Sequence, residues 1–121
     1  MRPENADLGW LWDMLMAARY VTEFIQERTL EDYQTNALLR SAVERQIEIM
    51  GEAAGRVSAE FQNTHPEIEW RKIIGQRHIL AHGYGKVDHE LVWLVATVHV
   101  PVLVSQLASL VPTSTDIPPH S

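Results

Sequence analysis

The chain has 121 residues, no cysteine and a formal charge of −6, a length that suits one domain burying roughly two-thirds of the surface its unfolded form exposes. The lack of cysteine excludes a disulfide framework and thiolate metal sites, and the net negative charge argues against a general nucleic-acid-binding surface. The charge is unevenly spread: Trp70 to Lys86 holds four bases (Arg71, Lys72, Arg77, Lys86) and no acid, so that stretch is +4 and the other 104 residues carry −10. RNA, if it binds, is expected at that segment and repelled elsewhere.

The N-terminal MRPENADLGW carries acids and lacks the basic-then-apolar build of a secretory signal. A first helix is predicted from Asp7 to about Arg28, where Leu8, Leu11, Leu15, Ala18, Thr22 and Ile25 follow the three-and-four spacing of one buried stripe. TLED, residues 29 to 32, has the form of an approximate capping box and opens a short helix around Tyr33. A second long helix is predicted from Asn36 to Phe61, with Leu39, Ala42, Val43, Gln46, Ile49, Met50, Ala53 and Val57 on one face and Glu44, Glu48, Glu52 and Arg56 beside it. Gly51 and Gly55, four apart in it, either weaken the helix or let another backbone approach closely.

NTHPEIEW, residues 63 to 70, reads as a loop with Pro66 as stop and restart, leading into a third helix over about Ile68 to His82. HGYG, residues 82 to 85, ends that helix, with Gly83 or Gly85 in the left-handed position beyond it. A fourth helix is predicted from Val87 or Asp88 to about Leu110, bent at Pro101. Within it LVWLVATVHVPVLV, residues 91 to 104, is the strongest competing strand candidate, but its length and the absence of a pairing hairpin favour helix. Thr97, His99 and Pro101 interrupt the run, which falls short of the ~20 residues that span a bilayer. A soluble, cytoplasmic protein without a membrane segment is expected. The polar, Pro-rich residues 112–121 read as a disordered tail. The expected fold is all-α, an up-and-down bundle of four main helices plus a short one over residues 1–111.

RHILAHGY, residues 77 to 84, concentrates the chemistry. His78 and His82, four apart, share a helix face at the spacing of a zinc pair, but no glutamate follows the first histidine and no third ligand is marked nearby. Arg77 and His82, five apart, lie about 140° from each other on a continuous helix and converge only where the helix ends or distorts. An always-charged guanidinium, a histidine titrating near neutrality and the Tyr84 hydroxyl suit phosphate chemistry. The plainer alternative pairs Arg77 with a carboxylate of the second helix and lets His82 cap the last carbonyls. His99 reads as a core histidine, the four tryptophans (Trp10, Trp12, Trp70, Trp93) as core or interface anchors, and Glu44, Glu48 and Glu52 as a solvated or salt-bridging face.

The order Arg77, four residues, His82, one residue, Tyr84, preceded by IEWRKIIGQ and followed by GKVDHELVW, resembles the signature of the HEPN (higher eukaryotes and prokaryotes nucleotide-binding) ribonucleases, and among them the HepT toxins. VERQIEIMGEAAGRVS (residues 43 to 58), HPEIEW (65 to 70) and VPVLV (100 to 104) extend the likeness to about residues 8–110. The resemblance implies a helical homodimer with two motifs facing one cleft and no metal or other cofactor. It also implies a partner: an MntA-type minimal nucleotidyltransferase antitoxin that transfers AMP to the motif tyrosine. Carried over, Arg77 and His82 are the catalytic pair and Tyr84 the AMP acceptor. His78 stands where the family commonly has asparagine or another polar residue, as a possible auxiliary. The implied function is a metal-independent endoribonuclease toxin; the alternative is a non-catalytic nucleotide- or partner-binding module that the nucleotidyltransferase modifies.

Overall fold

A computed structural model describes residues 5–82 and 88–112, and all regular structure among them is helical. Helix α1 spans Asn5–Phe24, α2 Leu30–Thr35, α3 Ala37–Arg56, α4 Ala59–Thr64 and α5 Trp70–His82. The last helix runs from His89 to Ala108 as α6 (His89–Leu94), a widened π-helical turn (Val95–His99) and α7 (Val100–Ala108). The predicted four long helices and the short one are all present, with α4 as an additional short helix. The predicted helix end at Gly83 or Gly85 and the start at Val87 lie outside the described residues, as does the tail from residue 113.

Local chemistry accounts for most of the helix ends. Thr29 accepts from the Asp32 amide at 3.1 Å while the Asp32 carboxylate accepts from the Thr29 amide at 2.9 Å, so TLED does form a capping box. Asn36 terminates α2 and caps α3, its side chain accepting from the Leu39 amide at 3.1 Å. Arg40 reaches back to donate to the Gln34 carbonyl at 2.6 Å, satisfying an orphan acceptor at the end of α2. Asp88 caps the last helix through the Leu91 amide at 3.1 Å.

Two long helices stop earlier than their apolar periodicity predicts. Helix α1 ends at Phe24 instead of Arg28 because the chain turns there and Glu27 takes a left-handed φ of 61°. Helix α3 ends at Arg56 instead of Phe61: Val57 is extended, and Ser58 starts α4 as its N-cap. A distant carboxylate holds this break, since Asp7 accepts from both the Ser58 amide (2.8 Å) and the Ser58 hydroxyl (2.7 Å). A tie spanning 51 residues leaves no signal in local periodicity.

Helix α1 packs against α3 on one side and α7 on the other, and α3 packs in turn against α5. A helix between two neighbours buries more than one stripe, so Met14, Ala17 and Val21 join Leu8, Leu11, Leu15 and Ala18 in the core. Thr22, expected on the stripe, is exposed and donates to the Ala18 carbonyl at 3.1 Å. The core continues through Leu39, Val43, Ile47, Met50 and Ala53 of α3, Phe61, Ile68 and Trp70, and Val92, Ala96, Val100, Leu103 and Leu107 of the last helix. Each fully buried aliphatic side chain contributes roughly 2 kcal/mol.

The extra residue of the π turn rotates the remainder of the last helix about its axis. It accommodates Pro101, whose ring removes a helical donor and crowds the carbonyl four residues back, and it carries the buried stripe through Val92, Ala96, Val100, Leu103 and Leu107. His99, expected in the core, is therefore exposed. At 20 residues the last helix exceeds its apolar run, and by length and composition alone it is long enough to cross a bilayer; 28% of its apolar window is buried in the bundle.

Tyr33 locks α2 to α3 and the last helix. It is fully buried, donates to Glu44 Oε2 at 2.6 Å, and lies against His89 and Trp93 with ring centroids 5.6 Å away in both cases. Burial, reinforced by the hydrogen bond to Glu44, pushes the phenol far above its ordinary value. A raised folded-state value means that its stabilising share is complete below the unfolded value of about 10 and is lost as pH rises beyond it. Urea titrations from pH 8 to 11 are expected to show Tyr33→Phe about 1 kcal/mol less stable than wild type at pH 8, with the gap narrowing at the alkaline end.

Candidate functional site

Arg71, Lys72 and Arg77 of the basic segment are carried on α5, whose start is anchored firmly, while Lys86 lies outside the described residues. Trp70 is buried, donates its indole N–H to the His65 carbonyl at 3.0 Å and meets Phe61 edge-on at 6.3 Å. His65 lies tilted against Phe61 at 4.5 Å between ring centroids and hydrogen-bonds Glu67 at 2.9 Å, an interaction that holds the Glu67 carboxyl below its ordinary range. Gln106 of α7 donates to the Glu67 carbonyl at 2.9 Å, fixing the loop that feeds α5. Beyond this anchor Ile73, Ile74 and Leu80 lean on the core, while Arg71 and Lys72 are exposed and Lys72 pairs with Glu69 at 3.1 Å.

Arg77 is half-buried where α5 meets α3, and His78 beside it is exposed. The carboxylates that the sequence offered to Arg77 are otherwise engaged: Glu44 accepts from Tyr33, Glu48 pairs with Arg45 at 3.3 Å and Glu52 with Arg56 at 3.8 Å. Among the described residues no ion pair to Arg77 forms. An arginine held half-buried and not neutralised by a carboxylate can serve an anion, its planar fork matching two phosphate oxygens.

The helix stays regular through His82, so Arg77 and His82 occupy positions about 140° apart around one axis. The HGYG distortion that would bring them together lies outside the described residues, as does Tyr84. His78 and His82 hold the same-face register of an i, i+4 pair, and among the described residues no group of three His, Cys, Asp or Glu side chains converges for a metal ion. Trp10 lies under the Arg56 guanidinium at 5.2 Å, Trp70 packs on Phe61, Trp93 on Tyr33 and Trp12 against the core, so each of the four tryptophans has a structural partner.

One feature of the site escaped sequence reasoning. Helix α5 and the last helix, both packed on the other elements, barely touch each other. Between them runs a mainly apolar groove of about 500 Å³, with Ile79, Leu91, Val98 and Val102 on its walls and Lys72, Gln76 and His99 at polar points. These four apolar side chains are 43–56% exposed. The signal was present as a helix apolar on every side, which one bundle cannot cover completely.

A family model described as ribonuclease HepT-like matches residues 14–110. The "Probable ribonuclease HepT" of Thermococcus cleftensis is 33% identical over 101 residues, 84% of this chain and 92% of that protein. "Putative RNase MJ1380" of Methanocaldococcus jannaschii is 33% identical over 93 residues, 77% and 85% of the two chains. "Putative RNase TTE0752" of Caldanaerobacter subterraneus is 28% identical over 101 residues, 84% and 90%. No solved structure gives a significant match. The all-helical bundle, the basic helix with an arginine that no carboxylate pairs among the described residues and a match over most of the chain agree, and the chain belongs to the ribonuclease HepT-like family.

Proposed function

We propose that this chain is a toxin ribonuclease that cleaves RNA without a metal, works as a homodimer, and is silenced when a nucleotidyltransferase antitoxin of the MntA type places AMP on Tyr84. The observation that carries the reading is Arg77, half-buried, in a +4 segment and without a carboxylate partner among the described residues. The family membership supplies ribonuclease chemistry for such a residue.

Metal-free cleavage needs a base for the 2′-hydroxyl, an acid for the departing 5′-oxygen and positive charge for the phosphorane-like transition state. One chain contributes a single His82, and its register places Arg77 on another side of α5. A two-fold axis resolves both shortages. In the dimer, His82 of one copy takes the 2′-hydroxyl proton and the 2′-oxygen attacks phosphorus. The 5′-oxygen leaves with a proton from the second copy's His82, and Arg77 holds the non-bridging oxygens. The products are a 2′,3′-cyclic phosphate and a 5′-hydroxyl. The exposed apolar groove beside α5 supports the dimer, because a second copy would cover it. AMP on Tyr84 would put a phosphodiester and a nucleoside into the cleft beside Arg77, blocking RNA without a change of fold. A cytoplasmic location accords with RNA as substrate.

Purified protein in excess EDTA is expected to cleave single-stranded RNA and leave cyclic phosphate ends. After incubation with the cognate nucleotidyltransferase and ATP, mass spectrometry is expected to find AMP on Tyr84 and cleavage to stop. A strict requirement for a divalent ion, or silencing with Tyr84 unmodified, would refute the corresponding half of the proposal.

A further inference from the structure

Gly51 is buried on the side of α3 that faces α5. A β-carbon built on it would overlap Cβ of Arg77, and would stand 3.0 Å from Arg77 Cγ and 2.8 Å from the carbonyl oxygen of Ile73. That carbonyl lies four residues before Arg77 and is the helical acceptor for its amide. The three nearest obstacles thus all belong to the single turn of α5 that presents Arg77. Gly55, one turn further along α3, has nothing within 4 Å of the same construction. The close approach is therefore a notch at one point, filled by the stem of one side chain.

Resting on the proposed ribonuclease role of Arg77, we infer that Gly51 is a positioning residue for that arginine. Its missing side chain lets α5 sit against the α3 backbone at the height of Arg77 and seats the Cβ and Cγ of the arginine. The notch sets the point from which the guanidinium departs toward the phosphate. A methyl group there must push that turn of α5 outward, because no rotamer of Arg77 displaces its own Cβ or the Ile73 carbonyl. Misplacement by about 1 Å typically costs on the order of 100-fold in rate.

The test is a double-mutant cycle in the full-length protein, reading RNA cleavage per folded molecule alongside circular dichroism and thermal melting. Gly51→Ala is expected to remain helical and to lose about 100-fold in cleavage, whereas Gly55→Ala cleaves as wild type does. Adding Arg77→Ala to Gly51→Ala is expected to lower cleavage no further than Arg77→Ala alone. A purely structural role for Gly51 would make the two losses multiply. Should Gly51→Ala melt too low to assay, the same substitution is expected to lower the melting temperature less in an Arg77→Gly background, which lacks the overlapping carbons, than in the wild-type background. Failure of that rescue overturns the inference. If Arg77→Ala abolishes cleavage but Gly51→Ala cleaves normally, the notch is wrong and the functional reading stands. If Arg77→Ala itself cleaves normally, the functional reading falls and takes this inference with it.

Discussion

Arg77→Ala and His82→Ala are each expected to reduce RNA cleavage by 10²- to 10⁴-fold, roughly the range for removing one general acid–base or transition-state charge group. Arg77 lacks an ion pair among the described residues, so its truncation strands no partner carboxylate. It also sits at a half-buried position rather than in the core, and melting is expected to shift by no more than a few degrees. The loss of activity and the retention of fold should therefore separate cleanly. Mixed dimers sharpen the test. If each cleavage event draws on both copies' His82, a dimer of one wild-type and one His82→Ala chain should retain far less than half the activity. Cleavage undiminished in both single variants would sink the assignment of these residues.

Val98→Asp is expected to turn the proposed dimer into a monomer and to abolish cleavage with it. Val98 is 50% exposed in the single chain and lines the groove between α5 and the last helix, so the carboxylate stays hydrated in a monomer and the bundle keeps its stability. In a two-fold interface the same carboxylate is buried twice without a partner, at a cost of several kcal/mol per copy, more than a modest dimer can absorb. Leu38→Asp is the control: Leu38 is 80% exposed and does not line the groove, so its variant should remain dimeric and active. Sedimentation velocity at micromolar concentration decides. A Val98→Asp protein that stays dimeric would remove the groove from the interface.

The site was legible in part. The basic stretch and the order of Arg77, His82 and Tyr84 are properties of adjacent residues, visible in the chain without any tertiary knowledge. Sequence alone could not decide whether Arg77 would be neutralised, because α3 offers Glu44, Glu48 and Glu52 at plausible spacing. Only packing assigns those acids to Tyr33, Arg45 and Arg56. Gly51 and Gly55 looked alike for the same reason. Four residues apart on one helix they differ only in what lies opposite, and the turn of α5 bearing Arg77 lies opposite just one of them.

By itself the sequence determined that the chain is helical, where the capping residues Thr29 and Asn36 open their helices, and which segment carries the positive charge. Those features depend on hydrogen bonds and periodicities within a few residues. The tertiary structure decided the rest. Asp7 ends α3 from 51 residues away, α1 buries a second stripe because it lies between two neighbours, and a widened turn before Pro101 swings His99 outward. The apolar residues of the last helix outnumber the surface one bundle can cover, and the packing of α5 and that helix against other elements leaves the excess as an open groove. Periodicity records how many apolar faces a helix has, but which of them remain bare depends on where the neighbouring helices stop.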